Sequence, residues 1–361
     1  MKRAPKILYA ILDWGIGHAT RSKPVIEYLI NNNCEIILAG SGRSAKYLKR
    51  VFPDLAFLDL PDYGIHYSKR GSQIPTILSQ AYNIYSAFKK EHKLINNIID
   101  TYSIDIIISD NRFGVYSKHC KSFYITHQLN FKLKGIYRAF EKTVAYVHKF
   151  VINKFDFVLI PDNDNSSIAG KISKSDKLKK KIHYLGPLSR FNYCNKDKYN
   201  ISKDFVLFLL SGPEPQRSIL EELLKKIIKR IDKEVIIVRG LPDGNNAEEG
   251  DGIRIIDFAD ESYLQSLIIN AQLIVCRSGY STIMDLWTLQ KKALLVPTPG
   301  QPEQEYLAKY LNLEYGFEYL KQCDIDNYKW ESMSSSSYWE HNGEANSFKK
   351  VINKLILNTI D

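Results

Sequence analysis

Residues 13–21 read DWGIGHATR and follow directly on the apolar run KILYAIL. Two glycines and a histidine therefore stand where a strand hands over to a helix, whose body is ATRSKPVIEYLI. Gly15 and Gly17 let the backbone approach a ligand closely, and a helix N-terminus favours anionic groups. The same positive potential keeps an imidazole neutral and able to accept a proton. His18 is thus either a general base or a side chain that caps and packs. The dinucleotide fingerprint GxGxxG is incomplete, because Thr20 occupies the place of its third glycine. No acid ends EIILAG either, which runs into Ser41-Gly42, so a nicotinamide enzyme is disfavoured.

The second stretch with chemistry is AQLIVCRSGYSTIMDLWTLQKKALLVPTPGQPEQEYLA, residues 271–308. A buried strand, QLIVC, ends in Arg277-Ser278-Gly279, and a helix is expected to start around Tyr280-Ser281-Thr282. Amides and hydroxyls at such a start make a diphosphate site that needs no metal. Asp285, one turn on, suits the two hydroxyls of a ribose. Gln301, Gln304 and Glu305, on the loop and helix start after the next strand, suit the hydroxyls of a sugar. Taken singly, each residue has a plain explanation as a helix cap or dipole partner. The run of them does not.

These segments need a scaffold. At 361 residues the chain suits two domains, and its 44% hydrophobic and 25% charged residues are those of a globular protein. No apolar run is long enough to span a bilayer. The basic N-terminus leads into a first strand rather than a cleaved leader, so a cytoplasmic location is expected. Five scattered cysteines without CxxC spacing argue against a disulfide framework or zinc site; Cys34 and Cys276 read as core. Charge is uneven. Residues 1–187 hold 29 Lys+Arg against 15 Asp+Glu, a net of +14, and the remainder nets −4. A basic front half suits an anionic partner or reflects a lysine-rich composition.

Short β-rich runs alternate with amphipathic stretches from end to end. KILYAIL, EIILAG, LAFLDL, DIIISD, SFYITH, FDFVLIPD and KIHYLG are strand candidates in the first half. FVLFLLSG, EVIIVRG, IRIIDFA, AQLIVCRSG and KALLVP follow in the second. Continuous apolar strands between helices mean parallel sheets covered on both faces, hence two doubly wound α/β domains with a cleft between them. The boundary is expected in 185–205. The domains are 1–187 and 200–340, and a last helix at 344–358 packs back on the first.

CRSGYSTIMDL followed by PTPGQPEQEYLA resembles the donor-binding half of glycosyltransferase family 28, the MurG-like transferases. WGIGHATR resembles that family's glycine-rich N-terminal loop, Gly17 included, and is similar to the GHxxR opening of related transferase-like proteins. The resemblance implies a GT-B fold of two Rossmann-like domains, with the nucleotide-sugar on the C-terminal one and the acceptor on the N-terminal one. By position it implies diphosphate contacts from Tyr280, Ser281 and Thr282 and a ribose contact from Asp285. Gln304 and Glu305 fall where the family pairs two glutamines on the donor sugar. Ser211 and Gly212 fall in the loop after the first C-terminal strand, here SGPEPQRSIL, and Phe258 near where uracil is read. It further implies His18 as base, oriented by Asp110 at the end of DIIISD, unless Asp110 instead caps NRFGVYSK. His127 and Gln128 of ITHQLN fall on the acceptor side.

Two other signals are set aside. Asp162-Asn163-Asp164 is a DxD, read as a solvated turn rather than a metal site. KISKSDKLKKKIH is read as a solvated surface helix rather than a nucleic-acid site. IPTILSQAYNIYSAFKKEHKLINNII and FKLKGIYRAFEKTVAYVHKFVINK carry aromatic and basic residues together. They suit either an anionic membrane surface or core-facing helices with wet lysines.

The resulting expectation is an inverting, metal-independent glycosyltransferase. It moves a hexose or N-acetylhexosamine from a UDP-sugar, a co-substrate, to an acceptor hydroxyl of a lipid-linked or glycan molecule in cell-envelope synthesis. No cofactor is expected. It works in the cytoplasm and contacts the inner face of the membrane through its basic half. The alternatives are a nucleotide-sugar hydrolase or epimerase on the same fold and a non-catalytic polyanion-binding module.

Overall fold

The computed structural model describes residues 3–66, 68, 73–130, 135–165, 167–175, 181–193, 199, 201, 203–330, 337–341 and 347–359. The chain forms two compact units. The first comprises Met1–Ile65, Leu78–Ser189 and Gly343–Asp361; the second comprises His66–Ile77 and Arg190–Asn342.

In unit 1 seven apolar runs become strands β1 (Lys6–Ile11), β2 (Glu35–Gly40), β3 (Ala56–Asp59), β4 (Ile106–Asp110), β5 (Lys121–Ile125), β6 (Phe157–Ile160) and β7 (Ile182–Tyr184). They form one parallel sheet in the order β3-β2-β1-β4-β5-β6-β7. Helices α1 (Gly17–Asn31), α2 (Gly42–Val51), α4 (Ala81–Tyr102), α5 (Glu141–Ile152) and α10 (Phe348–Leu355) belong to this unit; α3 (Gln73–Ser79) straddles the division at Ile77/Leu78. Strands without polar alternation must be covered on both faces, and β1 is buried from Ile7 to Ile11. One face packs Leu8, Ala10, Ile37 and Ile107 against Ile95 and Ile99 of α4. Each leucine or isoleucine among them contributes about 1.5–3 kcal/mol by leaving water. The last helix, α10, joins unit 1 through Phe348, edge-on to Tyr28 at 5.8 Å, and through Tyr28 Oη, which donates to Asn353 Oδ1 at 2.7 Å.

In unit 2 the strands are β8 (Phe205–Leu209), β9 (Glu234–Val238), β10 (Ala247–Gly250), β11 (Ile253–Ile256), β12 (Leu273–Cys276), β13 (Leu294–Leu295) and β14 (Glu318–Tyr319). Their order is β10-β11-β9-β8-β12-β13-β14, parallel except for the edge strand β10. Helices α6 (Gln216–Ile227), α7 (Glu261–Asn270), α8 (Tyr280–Thr288) and α9 (Pro302–Tyr315) connect them. Leu220, Leu224 and Ile227 of α6 pack on Val206, Phe208, Val235 and Val275.

Each sheet has one place where neighbouring strands lead their chains away in opposite directions, and ligands bind at such a switch point. In unit 1 it lies between β1 and β4, where Ile11 pairs with Asp110. In unit 2 it lies between β8 and β12, where Leu209 pairs with Cys276. The loops that carry His18, Asp110, Ser211-Gly212 and Arg277–Thr282 leave from these four strand ends; those with His127, Phe258 and Gln301–Glu305 leave from β5, β11 and β13.

Candidate active site

The turn after β1 is held from below. Ser44 Oγ of α2 donates to the carbonyls of Leu12 and Gly15, both at 3.1 Å, and the Ser44 amide donates to Asp13 at 2.9 Å. Gly42 has φ +55°, and a Cβ there would lie 1.8 Å from Asp13 Oδ2, so a side chain would be strained and would have to displace Asp13. Gly17 begins α1, and His18 follows it, buried.

His18 Nδ1 lies 2.7 Å from Asp110 Oδ1 at the end of β4. Asp110 is wholly buried and takes three further hydrogen bonds. Arg21 Nε donates to Oδ2 at 2.8 Å, Arg21 Nη2 donates to Oδ1, and Ser22 Oγ donates to Oδ2 at 2.9 Å. Burial pushes the Asp110 carboxyl up, but Arg21 and His18 outweigh it and hold it well below the usual carboxylate range. Burial and then the Arg21 charge lower His18, against the opposite pull of Asp110. The result is an ionised carboxylate behind a neutral imidazole, the arrangement a general base requires. No helix follows Asp110, whose next residue, Asn111, instead donates its amide to Ile125 O at 3.2 Å. The capping alternative is thereby removed.

His127, just past β5, is buried beside the same group, its Nδ1 2.9 Å from Arg21 Nη1. Gln128 is half-buried and donates its amide to Thr126 Oγ1 at 3.2 Å. Arg21 and Ser22 were not among the expected site residues. Their signal was available: they stand three and four residues after His18, on one helix face.

A second buried charge pair sits on the neighbouring elements. Arg112 Nε donates to Glu91 Oε1, while Tyr63 Oη and the Gly114 amide donate to Glu91 Oε2 at 2.5 and 2.9 Å. Its polar atoms are committed to one another, to the hydroxyls of Tyr63 and Ser41 and to the backbone, so it braces the loop after β4.

In unit 2, β12 runs into Arg277, and α8 begins behind Gly279, which has no side chain to cap it. The first intrahelical amide bond is Ile283 to Gly279 O, at 3.0 Å, so the helix itself supplies no acceptor to the amides ahead of it. Thr282 is buried, Ser281 half-buried, and the Tyr280 ring is part of the core. Gly212, after β8, has φ +97° and open space where a Cβ would be; Ser211 beside it is half-buried. Phe258 is half-buried in the loop after β11.

Several of the residues expected to contact the donor hydrogen-bond within unit 2. Arg277 turns inward, donating to the carbonyls of Gln216, Val296 and Pro297 at 2.8, 3.2 and 3.3 Å. Burial lowers it to about 9. Ser278 Oγ donates to Gln304 O at 2.8 Å. These two residues tie the end of β12 to the start of α6, to the chain after β13 and to the first turn of α9. Asp285 Oδ2 accepts from Arg190 Nε and Nη2 at 3.0 and 2.8 Å, a partner 95 residues away that no local pattern foretells. Gln304 Oε1 accepts the Thr298 amide and Glu305 Oε1 the Gly300 amide, both at 2.9 Å. Gln301 is the N-cap residue of α9. The chain of the loop 298–305 is thus folded onto its own polar side chains.

The DxD is a solvated turn only in its second half: Asp164 is exposed, Asp162 is not. Asp162 is wholly buried, and its carboxylate accepts from Ser167, Ser173 and the amides of Asn163, Ile168 and Ala169 at 2.6–3.2 Å. It staples a loop, because a buried carboxylate must be met by donors. Of the lysine run, Gly170–Ser173 form a 3-10 turn and residues 176–180 lie outside the described residues. Cys34 and Cys276 are buried, their thiols pushed up to about 11 and about 12 by burial. Among the described residues no group of three His, Cys, Asp or Glu side chains could hold a metal ion.

Known proteins agree with this architecture. The family profile described as Glycosyl transferase family 1 matches residues 5–334. An uncharacterized glycosyltransferase of Methanosarcina acetivorans is 24% identical over 330 residues, covering 86% of this chain and 84% of its own. The UDP-N-acetylglucosamine--N-acetylmuramyl-(pentapeptide) pyrophosphoryl-undecaprenol N-acetylglucosamine transferase of Histophilus somni, a MurG-type enzyme, is 21% identical, covering 86% and 83%. Among solved structures, a spinosyn forosaminyltransferase superposes with a TM-score of 0.61 over 99% of this chain and all of its own, at 9% identity. The expected MurG likeness is carried by the curated relatives, and the GT-B fold by the two parallel sheets and the structural neighbours. The chain belongs to glycosyl transferase family 1 and is a MurG-like glycosyltransferase of the GT-B fold.

Proposed function

We propose that the protein is an inverting glycosyltransferase that uses a UDP-hexose or UDP-N-acetylhexosamine, without a metal, to glycosylate an acceptor hydroxyl. The observation that carries this reading is the buried His18–Asp110 contact of 2.7 Å at a sheet switch point. A carboxylate only accepts, so His18 Nδ1 keeps its proton and Nε2 holds the lone pair. The acceptor hydroxyl loses its proton to Nε2 as its oxygen bonds to the anomeric carbon. The bond from that carbon to the diphosphate breaks on the opposite side, which inverts the centre. UDP leaves with one more negative charge, met by the start of α8 and the hydroxyls of Ser281 and Thr282. The base contributes about 10²–10⁴-fold.

The Histophilus relative is named for a UDP-sugar donor and an undecaprenol-linked acceptor, and this supports the choice of donor and a lipid-linked acceptor here. Unit 1 carries matching surface features. Tyr82 and Tyr85 on α4, and Tyr146, Val147 and Phe150 on α5, are exposed among lysines; Lys89 lies over Tyr85 and Lys154 over Phe150. Such a face suits an anionic leaflet. Among the described residues no helix is long and apolar enough to cross a membrane.

The test is His18→Gln assayed with a panel of UDP-sugars and lipid-linked acceptors. Transfer should fall by at least about 100-fold while UDP binding by calorimetry is retained. A variant with full transfer activity refutes the base. Stoichiometric release of free sugar by the wild type without acceptor turns the reading to a hydrolase.

A further inference from the structure

Arg21 reaches three functional side chains at once: Asp110 through Nε and Nη2, His127 through Nη1, and the edge of His18. A guanidinium only donates. His127 Nδ1, 2.9 Å from Nη1, must therefore accept, which places the His127 proton on Nε2. His18 is in the reverse state. Its Nδ1 lies 2.7 Å from Asp110 Oδ1, and a lone pair there would face an anionic oxygen that accepts and cannot donate. The 2.9 Å approach of Arg21 Nη2 to the same Nδ1 is then a contact between two donors. It brings a fixed positive charge against the ring.

We propose that Arg21 is a positioning residue that sets the two histidines in opposite tautomers, His18 with a lone pair on Nε2 and His127 with a proton on Nε2. The inference rests on the reading of His18 as the base and adds a polarity to the acceptor side. One imidazole takes a proton, and the other offers one in a hydrogen bond to an acceptor oxygen. Arg21 also neutralises Asp110, so the carboxylate orients His18 without converting it to imidazolium.

The charged and titratable groups facing His18 are Arg21 from its own helix, Asp110 from β4 and His127 from beyond β5. Tyr9 of β1 and Tyr124 of β5 face Asp110 and are held as neutral phenols by burial. Among these described residues, Arg21 is the fixed cation. Replacing it by Gln leaves Asp110 to pull His18 toward the charged form, which raises the pH at which the base becomes free.

The experiment is ¹⁵N spectroscopy of the full chain labelled at histidine, each ring assigned by the loss of its signals in His18→Gln or His127→Gln. At pH 7.5 the wild type should show His18 protonated on Nδ1 and His127 protonated on Nε2. In Arg21→Lys, which keeps the charge and loses the forked donor, His127 should average between tautomers. In Arg21→Gln the His18 titration, and with it the acid limb of kcat/KM, should move up by at least about one unit, a tenfold loss of free base below that limb. A wild-type His127 protonated on Nδ1, or a His18 protonated on Nε2, overturns the proposal, and that spectrum decides even if Arg21→Gln fails to fold. An unmoved His18 titration in a folded Arg21→Gln also overturns it. The expected tautomers in a protein without transferase activity would sink the proposed function and leave this assignment standing.

Discussion

Asp110→Asn replaces one carboxylate oxygen by an amide of nearly the same shape, so packing is spared and electrostatics alone is tested. The carboxylate receives four hydrogen bonds from three side chains, two at each oxygen. An amide nitrogen at Oδ1 would face His18 Nδ1–H and Arg21 Nη2–H, donor against donor. The imidazole relieves its half of the conflict by moving its proton to Nε2, and the base is then lost. Arg21, 2% exposed, is left without its counter-charge. Stranding a buried ion in this way costs about 3–5 kcal/mol. Urea unfolding followed by circular dichroism should register that loss, and transfer should fall about 10²–10⁴-fold. Nucleotide affinity, assigned to residues of unit 2, should be unchanged. The double variant Asp110→Asn/Arg21→Gln should be more stable than the sum of the singles by about 0.5–3 kcal/mol, since each removes the other's partner. An Asn variant with the wild-type midpoint and a rate within about threefold of wild type would refute the reasoning.

Other perturbations test separate parts of the molecule. Burial lowers His148 from the ordinary 6.5 to about 4. The unfolded chain binds the proton first, so the stabilisation is complete above pH 6.5 and is lost as pH falls toward 4. That amounts to about 3 kcal/mol, and His148→Leu should flatten the pH dependence of the urea midpoint by this amount. Gly42→Ala combines positive φ with a collision at Asp13; it should destabilise by about 1–3 kcal/mol and reduce turnover, since the same contacts hold the His18 turn. Arg190→Ala strips Asp285 of a buried partner at 2.8 Å. Its melting temperature should drop, and calorimetry should show a changed UDP affinity if Asp285 faces the ribose. Replacing Tyr82, Tyr85, Tyr146 and Phe150 together by Ser should abolish sedimentation with anionic vesicles and leave the melting temperature within about 2 °C, because these side chains are exposed.

Much of the architecture was written locally. Strands such as KILYAI and FVLFL carry no polar alternation, so only a sheet covered on both faces can accept them, and each appears where its apolar run stands. The two strands that left no signal are β10, all exposed and reading AEEG, and the two-residue β14. They are added at sheet edges, where pairing needs backbone rather than apolar side chains. The start of α8 behind Gly279 and the turn before His18 were equally legible, because glycine, strand end and helix start are neighbours in the chain.

Partnership was another matter. His18 and Asp110 stand 92 residues apart, Arg21 and His127 106, and Arg190 and Asp285 95. A residue type announces what a side chain can do, and its near neighbours announce the helix or strand that carries it. Which buried charge meets which depends on the order of strands in the sheet, a sum over the whole chain that no short segment encodes. So the sequence by itself determined two doubly wound sheets and the loops at their switch points. Only the tertiary structure decided that Arg277 and Ser278 brace loops, that Asp162 is sealed in, and that one arginine stands between two histidines, because burial forces every polar atom to take whichever partner the fold brings within reach.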